Sequence, residues 1–291
     1  MTAAARSLAR IELVSRDPDA LAGFYQAAFG CVAAGLPSPA GDIELKLDRQ
    51  TLRLIRAGPG GRGYPVDVPG WSPRFQHIAI VVGDMQQAYR HLGTIAGWTP
   101  ISTVGPQTLP KASGGVGAFK FRDPEGHPLE LIAFAAGAIP AQWQVSSQKM
   151  CLGIDHSAIS VSSTAASVAF YEGLGLHRSA HSLNVGQEQA LLDDVPDAVV
   201  EVTALSPSQA TPHVELLCYQ GDFDRHAPAQ GINDVTATRL VLTVDNPAAL
   251  TTICARVSGA LLSAPALRED DRHRALLRDP DGHLIQLETA S

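Results

Sequence analysis

Alternation of apolar and polar positions recurs four times along the chain, at RIELVS from Arg10, HIAIVV from His77, HSAISV from His156 and RLVLTV from Arg239. A period of two places successive side chains on opposite faces of a strand. Seven residues after the first position of each run stands Asp17, Asp84, Ser163 or Asn246. The side-chain oxygens of these residue types accept from the open N–H groups of a helix's first turn. Each run is therefore predicted to be a strand followed at once by a helix. Ile11 and Leu13, then Ile78, Ile80 and Val82, then Ile159 and Val161, then Leu240, Leu242 and Val244 face that helix. Arg10 and Glu12, His77, His156 and Arg239 face the other way.

Later positions repeat as well. GFYQAAFG from Gly23 and AFYEGLGL from Ala169 read as helix ends leading to a stop glycine. FRDPEGHPLEL from Phe121 and LRDPDGHLIQL from Leu277 read as a tight turn and then a strand, since Pro fixes φ and Gly permits a positive φ. Each quarter closes on a strand with one polar residue between apolar neighbours: Arg53 in TLRLI, Glu130 in PLELI, Glu215 in HVELL and Gln286 in LIQLE. The unit is thus strand, helix and about three more strands, over 8–57, 75–135, 152–220 and 237–289. Residues 58–73 are predicted to be a loop and 221–234 a polar connection. A linker near 136–151 divides a first unit, 1–135, from a second, 152–291. SGGVGAF at 113–119 precedes a strand rather than a helix, so it reads as a hairpin and not as a phosphate loop.

Composition narrows the function classes. The chain has 291 residues, 45% of them hydrophobic, enough for a sizeable core. The formal charge is −7 and basic residues are not clustered, which argues against a nucleic-acid face. Cys31, Cys151, Cys218 and Cys254 form no CxxC pair and sit in or beside apolar runs, the pattern of buried reduced thiols. The first residues lack the apolar core of a signal peptide, and the longest apolar-rich stretch, 129–139, is too short to span a bilayer. The expectation is a cytoplasmic protein, a monomer or homodimer, acting on a small molecule without membrane or nucleic acid.

FQHIAIVV, FRDPEGHPLELIAF, GIDHSAISV, AFYEGLGL and HVELLCY resemble motifs of the vicinal oxygen chelate superfamily, which includes glyoxalase I, methylmalonyl-CoA epimerase, fosfomycin-resistance proteins and extradiol dioxygenases. The resemblance covers nearly the whole chain. It implies an α+β fold in which βαβββ modules pair into cupped half-barrels of mixed sheet. A metal would sit on the concave face, with ligands from the start of the first strand and the middle of the last strand of each module. Carried over, the second module offers His77 and Glu130, the third His156 and Glu215, the first Arg10 and Arg53, and the fourth Arg239 and Gln286. Two imidazoles and two carboxylates suit one divalent ion such as Fe, Mn, Ni, Co or Zn, whereas a guanidinium has no lone pair to give. Only pairing of modules two with three, and one with four, would assemble all four candidate ligands.

The resemblance further implies a glyoxalase-type isomerase or lyase working through a metal-stabilised enolate. Glu215 or Glu130 would leave the ion and act as base, and Glu215 is favoured because His213 shares its face. Two alternatives stand beside it: a non-haem Fe(II) ring-cleaving dioxygenase, whose usual ligand signature lies in a fourth module, and a small-molecule binding or resistance protein. Ordinary roles compete at each position, since a strand-start His is usually hydrogen-bonded and a strand Glu is often a salt-bridge partner. His127 and His283 are expected in the turns; His91, His177, His181, His226 and His273 have no partner legible in the sequence. Arg10, Arg53 and Arg239 should converge on a metal-free face, neutralised by Glu12 and Glu288 rather than by a bound anion.

Overall fold

The computed structural model describes residues 3–144, 149–209, 212–225, 230–268 and 270–290; His226 and part of the linker lie outside the described residues. The first module runs β1 (Ser7–Ser15), α1 (Pro18–Phe29), β2 (Val32–Ala33), β3 (Ile43–Leu47) and β4 (Gln50–Arg56). The second runs β5 (Gln76–Val82), α2 (Met85–Leu92), β6 (Thr99–Pro100), β7 (Gln107–Thr108), β8 (Gly117–Arg122) and β9 (Pro128–Ala133). The third runs β10 (Cys151–Ser160), α3 (Thr164–Leu174), β11 (His177–Asn184), α4 (Gln187–Asp193), β12 (Val200–Ser206) and β13 (His213–Tyr219). The fourth runs β14 (Arg239–Val244), α5 (Pro247–Arg256), β15 (Leu261–Leu267), β16 (His273–Arg278) and β17 (Leu284–Thr289). Strands β1, β5 and β10 begin earlier than the alternation suggests, and α4 was not anticipated at all.

The helix starts lie where the spacing puts them. Asp17, Asp84, Ser163 and Asn246 each cap a helix, their side chains accepting from the N–H three residues on. Gly30 and Gly175 end α1 and α3 in the left-handed region, φ 72° and 96°, which a residue with a Cβ adopts only at a cost. The helix-facing strand residues, among them Ile11, Ile78, Ile159 and Leu240, join all four module helices in one continuous core.

The modules pair two with three and one with four. One sheet has the order β11-β12-β13-β10-β5-β9-β8-β6, and the other β15-β16-β17-β14-β1-β4-β3-β2. In both, the seam is antiparallel, β5 with β10 and β1 with β14. Within each module the first and last strands are parallel neighbours, with one register throughout: Glu12 opposite Arg53, Ala79 opposite Glu130, Ala158 opposite Glu215 and Val241 opposite Gln286.

Sequence neighbours are joined differently, by the repeated turns. Asp123 accepts from the N–H of Glu125 and His127, and Asp279 from those of Asp281 and His283. His127 Nε2 meets the carbonyl of Val14 at 3.1 Å, and His283 Nε2 that of Ser160 at 3.0 Å. Tyr25 and Tyr171 donate to Asp123 and Asp279. The turn of module two thus clasps module one, and the turn of module four clasps module three.

The loop at 58–73 is anchored by Asp234, which accepts from Arg62 N, Nε and Nη2 and from Gly231 N. Burial pushes the Asp234 carboxyl up, but the Arg62 and Gly231 bonds outweigh it and bring it down to about 2. A depressed folded value means stability that is full above the ordinary value of 3.8 and lost as pH falls toward about 2. Asp234→Asn is expected to cost about 1–2 kcal/mol in urea unfolding at pH 7, since backbone donors lose a charged acceptor. The deficit should shrink below pH 3. All four cysteines are free and buried. No helix among the described residues is long and apolar enough to cross a membrane.

Candidate metal centre

The shared register explains how the candidate ligands meet. His77 stands two residues before Ala79, the partner of Glu130, and His156 two before Ala158, the partner of Glu215. A step of two returns to the same face, so each His lies diagonally beside its Glu. Across the seam His77 pairs with Ala158 and His156 with Ala79, which sets the two imidazoles on a second diagonal. Their ring centroids are 5.7 Å apart.

Ligand atoms of His77, Glu130 and His156 all lie within 4.8 Å of one another. Glu130 Oε2 is 2.9 Å from His77 Nε2 and 3.8 Å from His156 Nε2. Glu215 Oε2 is 3.4 Å from His156 Nε2 and so flanks the trio. Both Nε2 atoms are buried without a hydrogen-bond partner among the described residues, because the approaches are close in distance but wrong in direction. Unpartnered buried nitrogens are rare in folded proteins. Here two of them and a carboxylate converge on one spot, which fits a divalent ion accepting imidazole and carboxylate lone pairs.

Charges around the site are tightly coupled. Burial lowers His77, only partly offset by Glu130. Burial also disfavours the charged form of His156, yet Glu215, Asp155 and Glu130 outweigh it and hold this imidazole well above its usual value. Burial would raise Glu130, but Lys120 and His77 keep it well below the carboxylate range. Burial raises Glu215, and His156 and His213 bring it down.

Three supporting groups were not singled out from the sequence. Asp155 would face away from His156 by simple alternation, but the ladder slips by one residue between Ile154 and His156. Such bulges re-aim side chains, and Asp155 Oδ2 comes 3.1 Å from His156 Nδ1. A carboxylate there fixes the tautomer that leaves Nε2 free for a metal. Trp143, in the linker, donates from Nε1 to Asp155 at 3.0 Å. Lys120 stands opposite Glu130 in the ladder, buried, and donates to Asp193 at 2.6 Å. A cation set between two phenylalanines, Phe119 and Phe121, was its legible signal. Asp155 and Trp143 carried none. His213, opposite His156, lies 3.3 Å from Glu215.

The matching face of the other sheet has the same geometry with different chemistry. Arg10 and Arg239 occupy the positions of His156 and His77, and Arg53 and Gln286 those of Glu215 and Glu130. Glu12 is 2.8, 4.0 and 3.6 Å from Arg10, Arg53 and Arg239, and Arg10 also pairs with Glu288 at 2.5 Å. Arg272 and Arg274 join Glu288 as well. This is the arginine–glutamate network expected there.

Residues 153–287 match the family model of the Glyoxalase/Bleomycin resistance protein/Dioxygenase superfamily. Glyoxalase I from Zea mays is similar in fold, with a TM-score of 0.64 and 18% identity over 98% of this chain and 92% of that one. Its E144Q mutant gives 0.67 at 18% identity, over 98% and 93%. A putative dioxygenase from Bacillus subtilis gives 0.59 at 13% identity, over 98% and 86%. No curated protein matches the chain.

Proposed function

From the match of residues 153–287 to the Glyoxalase/Bleomycin resistance protein/Dioxygenase superfamily model, in a chain folded like glyoxalase I, we propose a divalent-metal-dependent enzyme of the glyoxalase type. Its chemistry is isomerisation or lyase chemistry on a small oxygen-chelating substrate. His77, Glu130 and His156 would hold the ion, with Glu215 as fourth ligand. The observation that carries this reading is the convergence of two unpartnered buried imidazole nitrogens on Glu130. Once bound, a divalent ion polarises a substrate oxygen and makes the adjacent carbon acidic.

The protein's own groups then divide the work. Glu215 lies on the cavity wall, farther out than Glu130. It takes the proton from the acidified carbon and returns it to the neighbouring one, so no net proton is consumed. His213 at 3.3 Å orients the Glu215 carboxylate. Glu130, 2.9 Å from His77 and opposite Lys120 in the ladder, stays a ligand. Asp155 holds the His156 ring. The cavity is about 820 Å³, the size of a small-molecule site.

A specific feature favours one second reading. His77, His156 and Glu130 form a cluster of two histidines and one carboxylate, the set used by non-haem Fe(II) oxygenases. Elemental analysis of protein purified without chelators should find about one divalent ion per chain. Thiol adducts of 2-oxoaldehydes, acyl-CoA epimers and catechols are then screened with an oxygen electrode running. Turnover of either of the first two classes without oxygen uptake supports the isomerase or lyase. Substrate-dependent oxygen uptake overturns it in favour of the dioxygenase. A metal-free protein that still binds small molecules would be a binding protein.

A further inference from the structure

The cavity has a second polar anchor beside the proposed metal. Module three carries an additional helix, α4, between β11 and β12. It reaches across to module two, where Ser102 Oγ donates to the Leu192 carbonyl and Thr103 N to that of Leu191. At its end Asp193 takes three donors: Lys120 Nζ at 2.6 Å, Tyr219 Oη at 2.8 Å and Gln189 Nε2 at 2.5 Å. Lys120 is 4% exposed and Gln189 3%, and both line the cavity. An ammonium has three donors; among the described residues the one hydrogen bond of the Lys120 ammonium goes to Asp193. Gln189 Oε1 is buried with no partner among the described residues. A buried ammonium with donors to spare and an orphaned amide oxygen therefore sit together in a ligand-sized space.

The charge balance says what they are for. Glu130, Glu215, Asp155 and Asp193 bring four negative charges to this region. A divalent ion and Lys120 leave it still slightly negative. Without Lys120, which also answers the buried Asp193 carboxylate, an anionic ligand would meet two excess negative charges instead of one. Lys120 stands opposite Glu130 in the ladder, so its ammonium is a side chain's reach from the ion's place. Leu109, Val116, Ile132, Phe134, Leu192 and Leu217 line the rest of the cavity.

We infer that Lys120, aimed by Asp193, reads an anionic oxygen of the ligand, so that this cavity takes a small chelating carboxylate with an apolar body. The inference rests on the metal-dependent reading above. Mandelate and mandelamide test it, because they share a shape and a vicinal oxygen pair and differ in charge. Each is titrated calorimetrically into metal-loaded wild type and Lys120→Met, with metal content measured in both. Mandelate should bind wild type more tightly than mandelamide. Loss of a charged hydrogen bond should weaken mandelate by about 10–100-fold in Lys120→Met, with mandelamide nearly unchanged. Lys120→Arg should restore the preference. Lys120→Gln carries the same expectation as Lys120→Met if the latter fails to fold or loses metal. Wild type that takes up no metal overturns the proposed function and this inference together. Metal uptake with no mandelate binding, or with a preference that survives loss of the Lys120 charge, overturns this inference alone.

Discussion

His156→Ala is expected to abolish tight metal uptake and leave the fold intact. Loss of an outer partner of a metal ligand typically costs about 10–100-fold in affinity, and loss of the ligand itself should cost more. Asp155→Asn supplies the internal comparison, because it removes the carboxylate at His156 Nδ1 and leaves Nε2 in place. The order of metal content should be wild type, then Asp155→Asn, then His156→Ala, with His77→Ala as low as the last. Circular dichroism should stay native-like, since neither Nε2 has a protein hydrogen bond to lose and His156 gives up only its Nδ1 bond to Asp155. Full metal occupancy in both alanine variants would mean that the ligands are other residues. The metal-free protein adds a pH signature. Burial opposes protonation of His156, but its carboxylate neighbours keep it protonated well above the usual imidazole value. The incoming ion must displace that proton, so uptake should release protons to the buffer and affinity should fall as pH is lowered. Calorimetry in two buffers of different ionisation enthalpy measures the proton count.

Glu288→Ala should be the most destabilising of the single changes considered. Glu288 is fully buried and receives Arg10, Arg272 and Arg274. Removing it strands Arg10, itself 8% exposed, with Glu12 as its remaining carboxylate. Breaking a buried ion pair from one side typically costs about 3–5 kcal/mol, chiefly because a desolvated charge is left unpaired. Urea unfolding at pH 7 should show that loss, while metal content stays at wild-type level because the network belongs to the other sheet. Burial pushes the Glu288 carboxyl up, but Arg10 and Arg274 outweigh it and hold it below its ordinary value. Its contribution is therefore full above the usual carboxylate value and is lost as pH falls through the depressed one. The wild-type advantage over Glu288→Ala should narrow in acid. A cost under about 1 kcal/mol would place this network with surface ion pairs.

Local rules made much of the fold legible. Helix starts depend on one side chain and the N–H groups beside it, so Asp17, Asp84, Ser163 and Asn246 could be read from spacing alone. Strand faces follow from a period of two, which placed His77 and His156 opposite the helices. The Asp-Pro and Gly turns at 123–126 and 279–282 follow from allowed φ values, with Gly126 and Gly282 at 98° and 103°. Module pairing came from chemistry of another kind: only the pairing of two with three gathers imidazoles and carboxylates, because guanidinium cannot ligate.

Tertiary structure decided the rest, for the reason that those features depend on residues far apart in the chain. Helix α4 was invisible because QEQALLD is short and its packing partners are in module two. Lys120 and Asp193 are 73 residues apart, and only the folded sheet with α4 laid across it makes them a pair. The slip at Asp155 turns a residue that alternation assigns to the other face toward His156, and Trp143 from the linker holds it there. Sequence by itself determined the repeat, the faces and the residue types available for a metal. Their distances, the unpartnered nitrogens, the anchoring of His156 and the ammonium beside Glu130 were set by strand register and long-range packing, which no window of the chain contains.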